Sequence, residues 1–388
     1  MLKDRYLSSP VAVDLEEKMV FISGPRQVGK TTLAQSLLAG RFKKAAYFNW
    51  DKKQGRDAII AADWPQNADL IILDEIHKYK RWKRFVKGEY DSLKHQYKFL
   101  ITGSARLDVY RKGGDSLLGR YRHYRLHPFS LAELNNRKNP LKPFENIPVG
   151  APAKGLEILE QFGGFPEPML AQDERKLRLW HNELHERLLR EDIRDVETIR
   201  DLSAMQVLTG MLPSKVGSLL SINAIREDME VSHRAVSNWL NILEAFYYQF
   251  RIYPFSRGPF RSLKKEPKLY LWDWSEVTGA AARFENMVAS HLLKLAHWLH
   301  DREGYRTGLY FLRDSSKREV DFLFTVGEKP WFAVEVKTQY EGLVPNLNYF
   351  REKLRIPFAY QVINRPGIDQ LSGGIRVISA DKFLSALI

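Results

Sequence analysis

A short loop bounded by glycines has the residue types and spacing of a phosphate-binding loop. It comprises Gly24, Pro25, Arg26, Gln27, Val28, Gly29, Lys30, Thr31 and Thr32. Glycines allow successive backbone N–H groups to wrap a phosphate without Cβ clashes, and a helix that begins at the loop adds a favourable dipole. We predict that Lys30 reaches the β and γ phosphates of a nucleoside triphosphate and that the Thr31 hydroxyl ligates Mg²⁺.

Two acids, Asp74 and Glu75, directly follow a run of four apolar residues at positions 70–73. A buried strand that ends in carboxylates delivers them to the edge of an open α/β sheet where ligands bind. Asp74 is expected to hold the Mg²⁺ ion, and Glu75 to polarise or position the attacking water. The apolar run 98–101 ends in small polar residues, of which Thr102 is expected to orient the same water.

These side chains need a sheet that brings the ends of several strands together. The apolar runs 19–22, 45–48, 70–73 and 98–101 lack the alternation of half-exposed strands, so we interpret them as buried strands. Helical patterns lie between them, which indicates a parallel sheet with helical crossovers.

Three motifs in this region resemble those of the prokaryotic AAA+-type ATPases that carry an uncharacterised C-terminal half. They read Gly-Pro-Arg-Gln-Val-Gly-Lys-Thr-Thr at 24–32, Leu-Asp-Glu-Ile-His-Lys at 73–78 and Ile-Thr-Gly-Ser-Ala at 101–105. The likeness continues at residues 118–133, 162–167, 319–322 and 335–337. The resemblance therefore covers nearly the whole chain, and it implies binding of ATP with Mg²⁺ far more directly than it implies a biological task.

The same resemblance implies roles for residues outside the loop. Arg5 and Tyr6 would flank the adenine, and residues 163–166 would begin a lid over the nucleotide. Arg120 would act in trans as an arginine finger that neutralises charge developing on the γ-phosphate. The alternative for Arg120 is a surface arginine in a basic loop.

The segment 221–250 has the pattern of a helix-turn-helix, with Ser232 capping its second helix. The predicted exposed face of that helix carries side chains that can contact phosphates or base edges, namely His233, Arg234, Ser237 and Asn238. The segment 251–271 is interpreted as a positively charged β-wing with Arg257, Arg261, Lys264, Lys265 and Lys268. Together they predict a winged helix that binds DNA mostly through phosphates, although winged helices also serve as protein–protein modules.

The C-terminal part contains a D…ExK pattern, formed by Asp321, Glu335 and Lys337 on two predicted strands. Because side chains repeat every two residues in a strand, Glu335 and Lys337 share one face. Glu285 on a long preceding helix adds a third acid, so Glu285, Asp321 and Glu335 are candidate ligands for a divalent ion, with Lys337 as the lysine of a PD-(D/E)xK nuclease-like site. The sequence leaves open whether this part of the chain cleaves nucleic acid or has a purely structural role.

Composition limits the class of protein. The 388 residues include no cysteine, which excludes disulfides, thiolate zinc sites and cysteine nucleophiles. No apolar run has the roughly 18 residues of a membrane span, and no secretory signal is evident, so the expected location is the cytoplasm. The formal charge of +13 favours a polyanionic partner such as nucleic acid.

We therefore predict an α/β protein with four segments. These are an AAA+-type P-loop ATPase core at 1–136, a linker and helical lid at 137–212, a winged helix at 213–274 and a restriction-endonuclease-like α/β domain at 275–388. The function expected is an ATPase, using ATP and Mg²⁺, that acts as a homo-oligomer on duplex, branched or broken DNA. The alternatives are an ATP-gated endonuclease and a nucleotide switch that binds a protein partner in a defence or toxin–antitoxin assembly.

Overall fold

The computed structural model describes residues 4–103, 117–138, 141–193, 202–256 and 265–388. They belong to two compact units: a first unit of residues 1–127 with 245–247, and a second unit of residues 128–244 with 248–388. The boundaries predicted at residues 137, 213 and 275 all lie inside the second unit, and they stay predictions. Within the described part of the chain, no helix combines the length and the apolar character needed to cross a bilayer.

The first unit is built on a five-stranded parallel sheet. Its strands are β1 (Met19–Ser23), β2 (Ala45–Asn49), β3 (Leu70–Asp74), β4 (Lys98–Gly103) and β5 (Tyr121–Arg125). Its helices are α1 (Ser8–Asp14), α2 (Lys30–Arg41), α3 (Lys53–Ala61) and α4 (Trp82–Leu93), with a 3₁₀ turn at Ile76–Lys78. The four predicted strands and their parallel arrangement are confirmed, and β5 is a fifth strand that the apolar pattern did not reveal.

The strand order in this sheet is β2-β3-β4-β1-β5. Strand β4 is thus inserted between β1, which precedes the glycine loop, and β3, which ends in the acid pair. Asp74 pairs in register with Thr102 on one side and with Asn49 on the other. All five residues of β1 and all five of β3 are buried, which explains their uninterrupted apolar sequence, since both faces of the sheet are covered.

The second unit has a mixed sheet of eight strands. They are β6 (Gln249–Pro254), β7 (Lys268–Leu271), β8 (Thr307–Arg313), β9 (Glu319–Val326), β10 (Lys329–Lys337), β11 (Phe358–Ile363), β12 (Asp369–Ser372) and β13 (Ile375–Ser379). The order is β12-β13-β11-β10-β9-β8-β6-β7. The sheet therefore runs without interruption from the predicted wing strands, β6 and β7, into the C-terminal strands.

Ten α-helices are described in or at the border of this unit. They are α5 (Leu131–Leu134), α6 (Leu156–Phe162), α7 (Pro166–Ala171), α8 (Glu174–Arg187), α9 (Leu202–Met211), α10 (Ile222–Asp228), α11 (His233–Ala245), α12 (Ala280–Asp301), α13 (Pro345–Leu354) and α14 (Ala380–Ser385). A π-helical turn at Leu188–Ile193 and 3₁₀ turns at Leu212–Lys215 and Trp274–Glu276 complete these elements.

The C-terminal part of the second unit follows the order helix, three antiparallel strands, helix, strand. Helix α12 leads into β8, β9 and β10, which pair antiparallel, and α13 then crosses over to β11, which pairs parallel with β10. The apolar core between α13 and the sheet includes Leu312, Leu323, Leu347 and Phe350. This arrangement places the predicted helical acid and the two predicted strand acids on elements that pack against each other.

Candidate functional site

The phosphate-binding loop joins the end of β1 to the first residue of α2. Gly29 has a φ of 98°, in the left-handed region that favours glycine, and it immediately precedes the first helical residue, Lys30. Gly24 has a φ of 151°, and a Cβ at this position would lie only 2.4 Å from the Leu126 carbonyl oxygen. Both glycines are thus required by the backbone, and the loop opens at a helix N-terminus, where N–H groups and the dipole favour an anion.

The Lys30 side chain turns back over the loop and is buried. Its ammonium donates to the carbonyl oxygens of Gly24 (3.0 Å) and Pro25 (2.7 Å). The buried side-chain oxygen Oε1 of Gln27 has no hydrogen-bond partner. A buried cation that contacts carbonyl oxygens of the loop is suited to bind phosphate oxygens, which are stronger partners for an ammonium group than peptide carbonyls.

Asp74 is the centre of a dense hydrogen-bond network at the edge of the sheet. Its Oδ2 atom accepts from the hydroxyls of Thr31 (2.9 Å) and Tyr47 (2.6 Å) and from the Asn49 side-chain amide (3.2 Å), while Oδ1 accepts from the Thr102 hydroxyl. Burial and the Asp74 carboxylate raise the pKa of Tyr47 to about 12, so this phenol keeps its proton at neutral pH. Three of the four donors lie at or next to a strand end or at the start of α2, and the fourth, Tyr47, lies in the middle of β2.

This set of oxygens fits the Mg²⁺ ion that a P-loop site implies. A hydroxyl and a carboxylate that touch each other, with further hydroxyls around them, are the hard ligands that Mg²⁺ prefers. Thr31 and Asp74 would hold the ion, and Tyr47 and Asn49 would orient the Asp74 carboxylate from outside the ligand set. Tyr47 and Asn49 were not predicted, although the position of Asn49 at the end of a neighbouring parallel strand was a signal that could have found it.

Glu75 occupies a special backbone position at the end of β3. Its φ is 56°, in the left-handed region, and its N–H donates to the Thr102 carbonyl at 2.9 Å. Its Oε2 atom lies 3.4 Å from His77 Nε2. Burial lowers the pKa of His77, which outweighs the opposing effect of the Glu75 carboxylate, so the imidazole is neutral at pH 7. Strand β3 ends at Asp74, directly before this turn, and His77 is a neighbour of Glu75 that the sequence did not predict.

Arg5 and Tyr6, from the N-terminal segment, bind backbone groups at the loop and at the end of β5. The buried Arg5 guanidinium donates to the carbonyls of Val28 (2.9 Å) and His127. The Tyr6 hydroxyl donates to the Arg125 carbonyl at 2.5 Å. Arg5 thus ties the loop to the segment that follows β5, and Tyr6 binds the last residue of that strand. Their predicted position beside the adenine stays a prediction.

Arg120 lies just before β5 and forms a two-pronged ion pair with Asp91 on α4. The two N–O distances are 2.7 and 3.0 Å. The hydrogen bonds that Arg120 donates to the Asp91 carboxylate raise the pKa of Arg120, so the guanidinium stays charged. The structure describes one chain, and the role of Arg120 as a finger for a neighbouring subunit stays a prediction.

The strand order, the glycine loop and the Thr31–Asp74 contact give the first unit a P-loop ATPase-like core. Residues 16–135 match the family described as "AAA domain", which supports this class and suggests ATPase activity. Residues 156–285 and 280–383 match two families described as "Domain of unknown function", DUF8612 and DUF4143.

Similar proteins include one from Methanocaldococcus jannaschii and one from Mycobacterium tuberculosis. "Uncharacterized protein MJ1544" of Methanocaldococcus jannaschii is 25% identical over 258 residues, which are 62% of this chain and 58% of that protein, so the chain spans little more than half of this relative. "Uncharacterized protein Rv2008c" of Mycobacterium tuberculosis is 24% identical over 82% of this chain and 70% of its own length. Among solved structures, the Thermotoga maritima RuvB Holliday junction branch migration motor matches 67% of this chain and 93% of its own, with 17% identity and a TM-score of 0.30.

The predicted helix-turn-helix segment consists of α10 and α11, followed by the antiparallel pair β6 and β7. The inner face of α11 buries Val236, Trp239, Leu240 and Leu243. His233, Arg234 and Asn238 are exposed, as the spacing predicted, whereas Ser237, which was predicted on the same exposed face, is half-buried. Contact of this face with DNA stays a prediction, as does the assignment of the segment as a winged helix.

The predicted basic wing is only partly described. Arg257, Arg261 and Lys264 lie outside the described residues. Lys265 is exposed. The prediction that Lys268 belongs to the exposed basic surface of the wing is wrong. Its side chain is only 4% exposed and points into an acidic cluster of the second unit instead of towards solvent. Residues 163–166, the predicted start of a lid, link α6 to α7, and their relation to a nucleotide also stays a prediction.

The structure brings Glu285, Asp321, Glu335 and Lys337 together, and Glu319 joins them; we call the four acids the acid cluster. Lys337 Nζ lies 2.8 Å from Glu335 Oε1. Asp321 Oδ2 accepts from the Val336 N–H at 2.9 Å. Burial and the Asp321 charge raise the pKa of Glu285 and of Glu335 to about 7.

Lys268 lies within this cluster, and its presence decides how the cluster can be used. Its ammonium contacts carboxylate oxygens of Glu285, Glu319 and Asp321. In this arrangement a cation of the chain contacts carboxylate oxygens of two of the three predicted metal ligands, Glu285 and Asp321, so a divalent ion at these acids would have to displace it. The metal role of Glu285, Asp321 and Glu335 stays a prediction. Glu319 could have been found from its position two residues before Asp321 on one strand face, whereas Lys268 could not.

Proposed function

We propose that this protein is an ATP-hydrolysing AAA+-type ATPase that binds DNA through the α10–α11 segment. It would act as a homo-oligomer that remodels or translocates on branched or broken duplexes. The observation that carries the ATPase part is the contact between Thr31 and Asp74 beside the buried Lys30, at the start of a helix.

Each residue of the site has a role that follows from its position. Lys30 would leave the carbonyls of Gly24 and Pro25 and bind the phosphates of ATP, which neutralises their charge. Glu75 would accept a proton from the attacking water or position it, and Thr102 would orient that water. Mg²⁺, held by Thr31 and Asp74, would supply positive charge at the phosphate oxygens.

Support for DNA as the partner comes from charge and exposure. The chain carries a net charge of +13, and the exposed face of α11 presents His233, Arg234 and Asn238 beside a buried apolar face. Basic and amide side chains at the start of a helix can contact phosphates and base edges. Binding through phosphates weakens steeply as salt rises, because condensed counterions are released on association.

The test compares ATPase rates and DNA affinities of matched variants. The double variant Arg234→Ala/Asn238→Ala should weaken binding to duplex and branched DNA, flatten the slope of log K against log salt by about one unit, and reduce DNA stimulation of ATP turnover. The control is Arg365→Ala, which removes an exposed arginine elsewhere in the second unit. An unchanged salt slope in the double variant would remove α11 from the interface. ATP binding that responds to no DNA form would favour the alternative of a nucleotide switch for a protein partner.

The endonuclease alternative depends on the acid cluster, and the position of Lys268 does not favour it.

A further inference from the structure

A buried ammonium group lies at the centre of the acid cluster of the second unit. Lys268 Nζ is 2.8 Å from Glu319 Oε1, 3.4 Å from Glu285 Oε1 and 3.5 Å from Asp321 Oδ1. The side chain is 4% exposed, and its charge also lies 5.8 Å from the centroid of the Phe311 ring. These contacts join three elements, since Lys268 is on β7, Glu285 on α12 and the other two acids on β9.

The number of contacts matches what an ammonium group can use. A lysine ammonium has three N–H donors, and here three carboxylate oxygens from three different residues surround it. A buried cation with partners on all sides is compensated, whereas an unpaired buried charge would be strongly unfavourable. Lys268 is therefore accommodated as a permanent part of this cluster.

The remaining acid charge of the cluster is also balanced from within the chain. Arg313 pairs with Glu319, and Lys337 pairs with Glu335 at 2.8 Å. Three cations thus face the four carboxylates. A divalent ion would add two positive charges to a cluster that is already near balance, and it would compete with Lys268 for the same oxygens of Glu285 and Asp321.

We propose that Lys268 is the resident cation of the acid cluster, in the place that a nuclease-like fold would give to a divalent ion. The second unit then keeps the arrangement of acids on a helix and two strands without binding metal through them. A divalent ion would bind to these acids only after the Lys268 ammonium is removed. This inference does not depend on the ATPase activity of the first unit.

The test uses the full-length protein, freed of metal with EDTA and without nucleotide, in an Asp74→Asn background that removes the Mg²⁺ ligand of the first unit. The probe is Mn²⁺ alone, with bound and free ion distinguished by electron paramagnetic resonance and the melting temperature recorded in parallel. With Lys268 intact we expect no Mn²⁺ site that depends on Asp321. In the Lys268→Met variant we expect one additional site, which raises the melting temperature with metal concentration. Addition of Asp321→Asn should abolish the new site, and Lys265→Met, which removes an exposed lysine nearby, should create none.

Two results would overturn the proposal. One is a Mn²⁺ site in the protein with Lys268 intact that disappears in Asp321→Asn. The other is a folded Lys268→Met variant that binds no Mn²⁺.

A second measurement decides the question if Lys268→Met does not fold. In metal-free buffer, Asp321→Asn with Lys268 intact should lower the melting temperature, because a buried ammonium loses a partner. If the acids instead repel one another around a site for metal, the same substitution should raise it, and the proposal would be wrong.

Discussion

The hydroxyl of Thr31 donates a hydrogen bond to Asp74 Oδ2 across 2.9 Å, although the two residues are 43 positions apart. Thr31 is the second residue of α2 and Asp74 the last residue of β3, so the contact depends on the strand order that puts β4 between β1 and β3. The two Mg²⁺ ligands predicted from separate motifs thus meet at one edge of the sheet.

Substitution of Lys30 should abolish ATP turnover. Lys30→Ala removes the buried ammonium over the loop, and we expect a loss of rate on the order of 100-fold or more, because a charge directed at the phosphates is lost. Steady-state phosphate release measures this effect, and Lys52→Ala, at an exposed position of the same unit, is the control. Hydrolysis by Lys30→Ala at the parental rate would refute the assignment of the site.

Substitution of Glu75 should separate binding from hydrolysis. Glu75→Gln keeps the shape of the side chain but removes the base, so ATP should bind at near-parental affinity while turnover falls by roughly 10²- to 10⁴-fold. A filter-binding assay that recovers intact ATP after long incubation measures the trapped state. A variant that releases phosphate as fast as the parent would show that Glu75 is not the base.

The Asp74 carboxylate should make nucleotide binding dependent on Mg²⁺. In the parental protein, ATP affinity should fall when EDTA replaces Mg²⁺, whereas in Asp74→Asn the affinities with and without Mg²⁺ should be nearly equal, because one ligand of the ion is lost. Isothermal titration measures both, with Asp57→Asn, an exposed acid on α3, as the control. An unchanged Mg²⁺ effect in Asp74→Asn would exclude this residue as a ligand.

Substitution of Arg120 and substitution of Asp91 should have different effects on ATP turnover if Arg120 acts on the ATP of a neighbouring subunit. Arg120→Ala should then reduce ATP turnover strongly, whereas Asp91→Ala, which breaks the same pair but keeps the guanidinium, should not. Mixing Arg120→Ala with Lys30→Ala subunits should restore some activity at mixed interfaces. Equal effects of both substitutions, with no rescue in mixtures shown by sedimentation to assemble, would make Arg120 a surface residue.

The buried imidazole of His291 should make the second unit less stable in acid. Its Nδ1–H donates to the Met287 carbonyl at 2.7 Å and its Nε2 accepts from the Leu131 N–H at 3.1 Å, so the folded protein needs the neutral ring. Burial lowers the pKa of His291 from 6.5 to about 4. The unfolded chain therefore binds the proton first, and stability is lost as pH falls from about 6.5 towards 4, by roughly 2 kcal/mol at pH 5.

The measurement is the difference in unfolding free energy between the parental protein and His291→Gln at pH 7 and pH 5, which should shrink at pH 5. His185 provides a control of opposite sign. Its imidazole lies 2.8 Å from Glu276 Oε2, and although burial lowers its pKa, the Glu276 carboxylate raises it above the ordinary value. Its contribution is present below pH 6.5 and is lost as pH rises, so the deficit of His185→Gln should grow in acid. If the unfolding free energy of His291→Gln differed from that of the parental protein by the same amount at pH 7 and pH 5, the lowered pKa of His291 would be contradicted.

The sequence alone was enough to predict four of the five strands of the first unit and the residues of its loop. Strands β1 and β3 are buried on both faces, so each appears as an unbroken apolar run, and the acids after β3 mark the edge of the sheet. Strand β5 was missed, because its sequence, Tyr-Arg-His-Tyr-Arg, is polar and only partly buried. A strand at the edge of a sheet has fewer apolar neighbours and therefore a weaker signal.

Other features were decided only by the tertiary structure. The sequence places Lys268 among basic residues of a predicted wing, and nothing in their spacing separates it from Lys265. The fold turns the Lys268 side chain inward. Strand β7 belongs to the same sheet as β9 and lies near α12, and the acids on β9 and α12 compensate the buried ammonium charge. Local pattern determined which residues form helices, strands and the phosphate loop, since these depend on neighbours in the chain. Which charges meet depends on strand order and on contacts between distant segments, and for that reason Thr31 with Asp74, and Lys268 with the acid cluster, are properties of the folded protein.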